Sequence, residues 1–414
     1  MTRLLRVLFL ALMASATGVG LDAQDRPSFR TDADGPVLAG STKTGTSSDG
    51  KPPWYQVVDG EFPPEGSGHA ISGELIWVDH LERRFHLRVD RNDAQDRSVW
   101  DLPLDAFLLP YGSIFYHGAP AALQDIPLGT HLHGLFYLRS PADQTPPPDA
   151  NNNRKTPEVD FRRCFRMEDD FSFRARQGQF WKVESADPSA RKLTAVLEQD
   201  GKPVGQPQTF DLLTSTRVWH GRSVVAQEDL RPGQHILFNL TWATLYGPGR
   251  LTDVWIDSGS RELATSQQIE RHRNHVRERG LPGWVTAVDD DSQIVTITFF
   301  GGVDPALFDE LTWTNPEPFG WPLSKPEAKP LAPKGTIAVA RDCLMTHDPV
   351  NDRKGGNILD VQKVPVEPGS SGVRIKVQCD MLLEGYRPRR VVRFYPATWK
   401  VQALPREEQF FGRE

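Results

Sequence analysis

Two stretches of this chain follow one plan. Residues 116–138 read YHGAPAALQDIPLGTHLHGLFYL and residues 219–240 read WHGRSVVAQEDLRPGQHILFNL. Each opens aromatic-His-Gly (Tyr116-His117-Gly118, Trp219-His220-Gly221) and passes an Asp (Asp125, Asp229). Each then reaches a Gly four residues later (Gly129, Gly233) and closes on an apolar run. The segments upstream match as well: GELIWVDHLERRFHLRV at 73–89 against FWKVESADPSARKLTAVL at 180–197. A weaker third copy opens with GWVTAVDDDSQIVTITFF at 283–300 and closes with VEPGSSGVRIKVQ at 366–378. Alternation of apolar and polar residues has the period of a strand, and the breaks carry hairpin residues. A repeat of about 100 residues is too long for a solenoid unit and suits a small barrel.

These copies resemble the small OB-like barrels of secreted bacterial proteins, domains of unknown function that run G-x-V-x-x-V-D, a hairpin, then D-G-x-x-A-x-L-x-D-L-x-x-G. The matching residues are Gly73, Val78 and Asp79, then Gly118, Ala121, Leu123, Asp125, Ile126 and Gly129. Copy two keeps Gly221, Asp229, Leu230 and Gly233; copy three keeps Val288, Asp289, Pro368 and Gly369. The resemblance implies an all-β chain of three tandem small OB-like barrels with one connecting helix. A periplasmic copper and silver chaperone family uses the same barrel shape, so a metal site has to be weighed.

The 414 residues exceed one ordinary core, and a net charge of -6 with both signs mixed gives no footprint for nucleic acid. Arg3 and Arg6, the apolar stretch Leu4–Met13 and small residues up to Ala23 read as a signal peptide over 1–23. We therefore expect a periplasmic or secreted protein with no membrane span after signal cleavage. Residues 24–67 are polar and read as a flexible N-terminal segment. Within them Gly45–Lys51 nearly spells a phosphate loop, but Pro52 and Pro53 follow, so no helix can start there. Barrel 1 is expected over 68–140, a Pro/Asn-rich linker over 141–160 and barrel 2 over 161–259. A connector helix over 260–280, a degenerate barrel 3 over 281–401 and a tail over 402–414 complete the chain. The helix signals are Thr265 as N-cap with Gln268 three residues on, and Gly280 then Pro282 at the end.

The chemistry centres on histidine. His131 and His133 are two apart on a strand, so both rings project from one face, and His117 is a third candidate. Zinc or Cu(II) suits such a set. Soft Cu(I) does not, because none of the five Met falls within 68–140. The repeat points the other way: His117 matches His220 and His131 matches His235, but His133 matches Leu237. Asp125 and Asp229 read as turn caps, with Gly129 and Gly233 in the left-handed region. The triplets Glu168-Asp169-Asp170 and Asp289-Asp290-Asp291 lack calcium-loop spacing and read as solvated turns. Arg387, Arg389, Arg390 and Arg393 read as a solvated strand face. The 11 Trp read mainly as core and seam fillers, with sugar stacking as the alternative. Cys343 and Cys379 can face one core and pair, or stay as thiols, while Cys164 is left over.

No nucleophile elbow, zinc-protease helix or dinucleotide fingerprint is present. The expectation is a non-enzymatic binding or scaffold role, with no cofactor, toward a protein or polysaccharide of the cell envelope. Metal binding through His131, His133 and His117 is one alternative. A hydrolase with a cryptic site between barrels is another.

Overall fold

The computed structural model describes residues 55–90, 103–138, 162–241, 249–312, 333–340, 353–401 and 404–408. The signal segment, Gly45–Lys51, Trp100, Trp242 and Cys343 lie outside the described residues. Cys164 and Cys379 are free, buried thiols.

The first barrel runs β1 (His69–Asp79), β2 (Arg84–Val89), β3 (Leu104–Tyr116), the short β4 (Ala119–Ala121), β5 (His131–Leu138) and β6 (Arg162–Asp169). Its strands obey the period of two. On β2, Phe85, Leu87 and Val89 face the core, while Arg84, His86 and Arg88 face outward. The pairs β1–β2, β2–β3, β1–β5 and β5–β6 are antiparallel. A parallel β3–β6 pairing closes the ring. Five strands closed in this way form the Greek-key barrel of the OB type.

The position of β6 corrects the expected domain boundary. Residues 141–160 connect β5 to β6 within the first barrel and do not join two barrels. A Pro/Asn-rich composition does not tell whether a segment falls inside or between domains. Met167 and Cys164 consequently belong to the first barrel's core, so that barrel does contain a methionine. Residues 55–67 also differ from expectation. Val57 is buried, its amide donates to the Leu138 carbonyl, and Phe62 packs on Trp284.

Helix α1 (Asp170–Arg176) leads into the second barrel. That barrel comprises β7 (Gln179–Asp187), β8 (Lys192–Gln199), β9 (Lys202–Pro203), β10 (Gln208–His220), β11 (Ser223–Val225), β12 (His235–Thr241) and β13 (Arg250–Trp255). The pairing plan repeats, with β10–β13 as the parallel closure. Helix α2 (Ser258–Arg279) then leads to β14 (Leu281–Asp289), β15 (Ile294–Phe300), β16 (Lys334–Val339), β17 (Arg353–Lys363), β18 (Ser370–Cys379) and β19 (Val391–Pro396). These close as β14-β15-β18-β17-β16-β19, every pair antiparallel. The third domain is therefore a barrel, but a six-stranded one without the parallel closure of the other two.

What all three barrels share is their opening hairpin. Each first strand carries a bulge, between Leu75 and Trp77, Val183 and Ser185, and Val285 and Ala287. An Asp ends each strand and caps the turn: Asp79 accepts from the Leu81 amide, Asp187 from Ala190 and Asp289 from Asp291. Each turn finishes on a residue of positive φ, Arg83, Arg191 and Gln293. Asp289–Asp291 is thus a hairpin turn, as read from the sequence.

Helix α2 starts earlier than the capping box suggested. Asp257 is its N-cap and accepts from the Ser260 amide. Thr265 lies within the helix, where its hydroxyl donates to the His117 carbonyl, and the Gln268 amide donates to Pro120 O and Asp125. An Asp cap upstream outcompetes a Thr about two turns later because it adds the favourable interaction of a negative charge with the helix N-terminus. The arginine-rich stretch also differs from a solvated face: Arg393 is buried and donates to Gly280 O. Trp181, Trp255 and Trp284 are core or seam residues, whereas Trp77 keeps 39% exposure.

Candidate functional site

Strand β5 is buried along nearly its whole length. Leu132 points into the barrel, and His131 and His133 point outward. The outward face is covered because the chain, on leaving β6, turns at Asp169 and lays α1 across it. Asp169 caps α1 by accepting from the Ser172 amide. That cap places Asp170 at the head of the helix, over the two imidazoles.

One Asp170 oxygen, Oδ1, lies 2.9 Å from His131 Nδ1 and 2.9 Å from His133 Nε2. The other, Oδ2, accepts from the Leu240 amide of β12 at 3.0 Å. The far nitrogen of each ring is also held. His131 Nε2 lies 2.7 Å from Asp90 Oδ2, and His133 Nδ1 lies 3.1 Å from the Ser72 hydroxyl. Phe173 of α1 stacks on the His133 ring at 3.9 Å. His131, His133 and Asp170 are 1%, 6% and 5% exposed, so no solvent-open ligand position is present.

Burial opposes a charge on His131, but the carboxylates of Asp170 and Asp90 outweigh it and hold its pKa well above the ordinary value. Burial likewise opposes charge on Asp170, and the His131 cation with hydrogen bonds from both rings holds that carboxyl far below its usual range. His133 goes the other way: burial lowers it, and Asp170 only partly compensates. The consistent protonation is an imidazolium at His131 donating to two carboxylates. His133 is neutral, donating from Nε2 to Asp170 and accepting the Ser72 hydroxyl at Nδ1.

His117 is not part of this cluster. Its ring stacks on Tyr116 at 3.8 Å and meets Trp255 edge-on at 4.8 Å. Burial brings its pKa down to about 4. It sits in the hairpin turn with φ 52, and Gly118 follows with φ 78, the paired positive angles of a tight two-residue turn. Its backbone amide donates to Asp169 Oδ2, which the Asn239 amide also reaches. Burial pushes the Asp169 carboxyl up to about 6 against these donors. Barrel 2 repeats the device: the Gly221 amide donates to Asp257, the cap of α2. Asp125 caps its short turn through the Ala122 amide, and Gly129 and Gly233 have positive φ, as expected.

The partners that sequence reading missed are Asp90, Asp170 and Ser72. Glu168-Asp169-Asp170 is a buried strand end and helix start, not a solvated turn. The repeat held a signal for it. Asp169-x-x-Ser172 and Asp257-x-x-Ser260 follow the last strand of their barrels at the same spacing, that of an N-cap.

The ligand atoms of His131, His133 and Asp170 lie within 4.8 Å of one another. Two imidazoles and one carboxylate are a reasonable donor set for zinc or another divalent transition metal. Binding would require His131 to lose a proton and both rings to give up their bonds to Asp170. Asp90 and Ser72 would then hold the outer nitrogens, as outer partners of ligating histidines do.

The described residues also line a half-open cavity of ≈90 Å³ elsewhere, between barrel 1, α2 and barrel 3. No Asp or Glu lines it. Among the described residues, no helix is long and apolar enough to cross a membrane. Fold and site define an all-β chain of three small barrels with a buried His–Asp cluster where the first two meet. Comparisons with protein-family models, curated proteins and solved structures give no match to this chain.

Proposed function

We propose that the chain is an exported, non-catalytic binding scaffold whose His131–His133–Asp170–Asp90 cluster clamps barrel 1 to barrel 2. One observation carries the clamp: a single buried carboxylate, Asp170, accepts barrel 1 histidines on Oδ1 and a barrel 2 amide on Oδ2. A catalytic group needs access to a substrate, and this cluster has none. The junction cavity supplies no carboxylate pair, so hydrolase chemistry of the paired-acid kind finds no support there. The partner we envisage is a protein or polysaccharide of the cell envelope. Trp77 supports the polysaccharide: it is 39% exposed on the first barrel, with His86 at 4.5 Å and the Arg84 guanidinium 5.8 Å from its ring centre, an aromatic surface of the kind that stacks on sugars.

A second reading, a structural zinc or Cu(II) ion at His131, His133 and Asp170, is favoured by the outer-nitrogen partners Asp90 and Ser72. Elemental analysis of the protein purified without chelator, together with His133→Leu, separates the two. The clamp reading expects no stoichiometric metal and a folded, modestly destabilised variant. One equivalent of zinc or copper that is lost in His133→Leu overturns it in favour of the metal.

A further inference from the structure

We propose that the cavity at the junction of barrel 1, α2 and barrel 3 binds a small oxyanion, a carboxylate or phosphoryl group, held by Arg83, His272 and His275. This deepens the proposed binding role and rests on it. The metal analysis above reads the clamp and not this cavity, so the two fail separately.

Arg83 is the leading observation. It is 6% exposed and lines the cavity. Its guanidinium reaches only the Pro110 and Gly112 carbonyls, each at 3.4 Å. Among the described residues no carboxylate pairs with it. A buried cation without a counter-ion is costly, and proteins ordinarily pair it. The fold does not require this charge. Arg83 occupies the positive-φ end of the opening hairpin, and the equivalent Arg191 and Gln293 are exposed in the other barrels. Only in barrel 1 does that position point into a junction, and a neutral Gln fills it in barrel 3.

The histidines supply donors beside Arg83. His272 is 5% exposed, and its Nε2 accepts the Asp304 amide at 3.2 Å. That bond places the ring proton on Nδ1, which is buried and without a partner. His275 Nδ1 lies 3.1 Å from the Gln124 side-chain amide, which leaves its proton on Nε2. The carboxylates nearest His272 are engaged: Asp304 by Arg273, and Asp125 by the Ala122 amide and Gln268. Arg393 lines the cavity too. Arg83 and Arg393 bring positive charge to walls that His272 and His275 share, and no Asp or Glu is among the described lining residues. Leu123, Val276 and Phe300 form an apolar remainder suited to a short stem. Consistent with a positive field, His275 is brought down to about 3, first by burial and then by Arg279, Arg393, His272 and Arg83. A space of ≈90 Å³ exceeds several-fold what one water needs and is ample for a small anion.

The test uses the full chain at constant ionic strength, with chloride as the balancing ion. Inorganic phosphate and butyrate are titrated separately by calorimetry, with melting temperature followed in parallel. We expect saturable binding of at least one, a rise in melting temperature with it, and a response that tells phosphoryl from carboxylate. Arg83→Gln, a residue the same hairpin position accepts at 293, should weaken that binding by about tenfold or more. Without the anion it should melt no lower than the parent, since it removes an uncompensated buried charge. Absence of saturable binding for both anions overturns the proposal. So does unchanged affinity in Arg83→Gln, or a lower anion-free melting point, which would make Arg83 a structural donor to Pro110 and Gly112.

Discussion

At the residue scale the weight falls on Asp170. It faces an imidazolium in a buried seam, so neutralising it strands that charge, a loss of about 3–5 kcal/mol in comparable buried pairs. Asp170→Asn should therefore lower the urea-unfolding free energy by about that much. His133→Leu should cost less, about 1–3 kcal/mol, because His131 still donates to Asp170 and barrel 2 carries Leu237 at the matching position. Equal losses for the two variants would show that Asp170 does not act through His131. The histidines of this cluster were legible in the sequence, since alternation on a strand puts His131 and His133 on one face. Their partners were not. Asp90 lies 41 residues from His131 and Asp170 lies 39, and neither separation is fixed by any local period. His117 misled for the complementary reason. It shares a segment with the other two, but a tight turn sends its ring to Tyr116 and Trp255.

At the element scale, one arrangement is used twice: the Asp that caps the helix after a barrel also grips that barrel's hairpin turn. Asp257 holds the Ser260 and Gly221 amides, and Asp169 holds Ser172, His117 and Asn239. Asp257→Ala should cost about 1–2 kcal/mol, the range for an N-cap. Asp169→Ala should cost more, because its abandoned donors are buried. Chemical denaturation of both variants checks the order, and a reversed order would contradict the shared arrangement. The barrels themselves were readable because hairpin alternation, the capping Asp and the turn glycines are local signals. The strand order of the third was not. Choosing an antiparallel ring of six over a parallel closure depends on pairings between strands far apart, such as β14 with β19. The linker misreading has the same origin, since polar composition reports exposure and not connectivity.

At the scale of the whole molecule, three barrels are joined through buried seams that hold neutral histidines. His117 and His272 are depressed to about 4 and His275 to about 3, each chiefly by burial, from an ordinary value of 6.5. On acidification the unfolded chain takes up these protons first. The stability they secure is complete above pH 6.5 and is lost as pH falls toward the folded values, by up to about 3 kcal/mol each for His117 and His272 and about 5 kcal/mol for His275. His131 has the opposite sign. Its raised pKa contributes in full below 6.5 and is lost as pH rises through the folded value. Asp169, raised to about 6, works against the acid limb by gaining stability as pH falls through its folded value. One carboxyl does not offset three histidines, so urea midpoints should decline from pH 6.5 toward 4 and decline again on the alkaline side. A flat acid limb would mean that the seams open to solvent before they titrate.

The clamp and the metal site differ in one respect that can be observed directly, the protonation of His131. Nitrogen-15 NMR of the ring-labelled protein near neutral pH reads both of its nitrogens. The clamp predicts an imidazolium, Nδ1 and Nε2 each carrying a proton bonded to Asp170 and Asp90. An unprotonated Nδ1, whether bare or metal-bound, would contradict it.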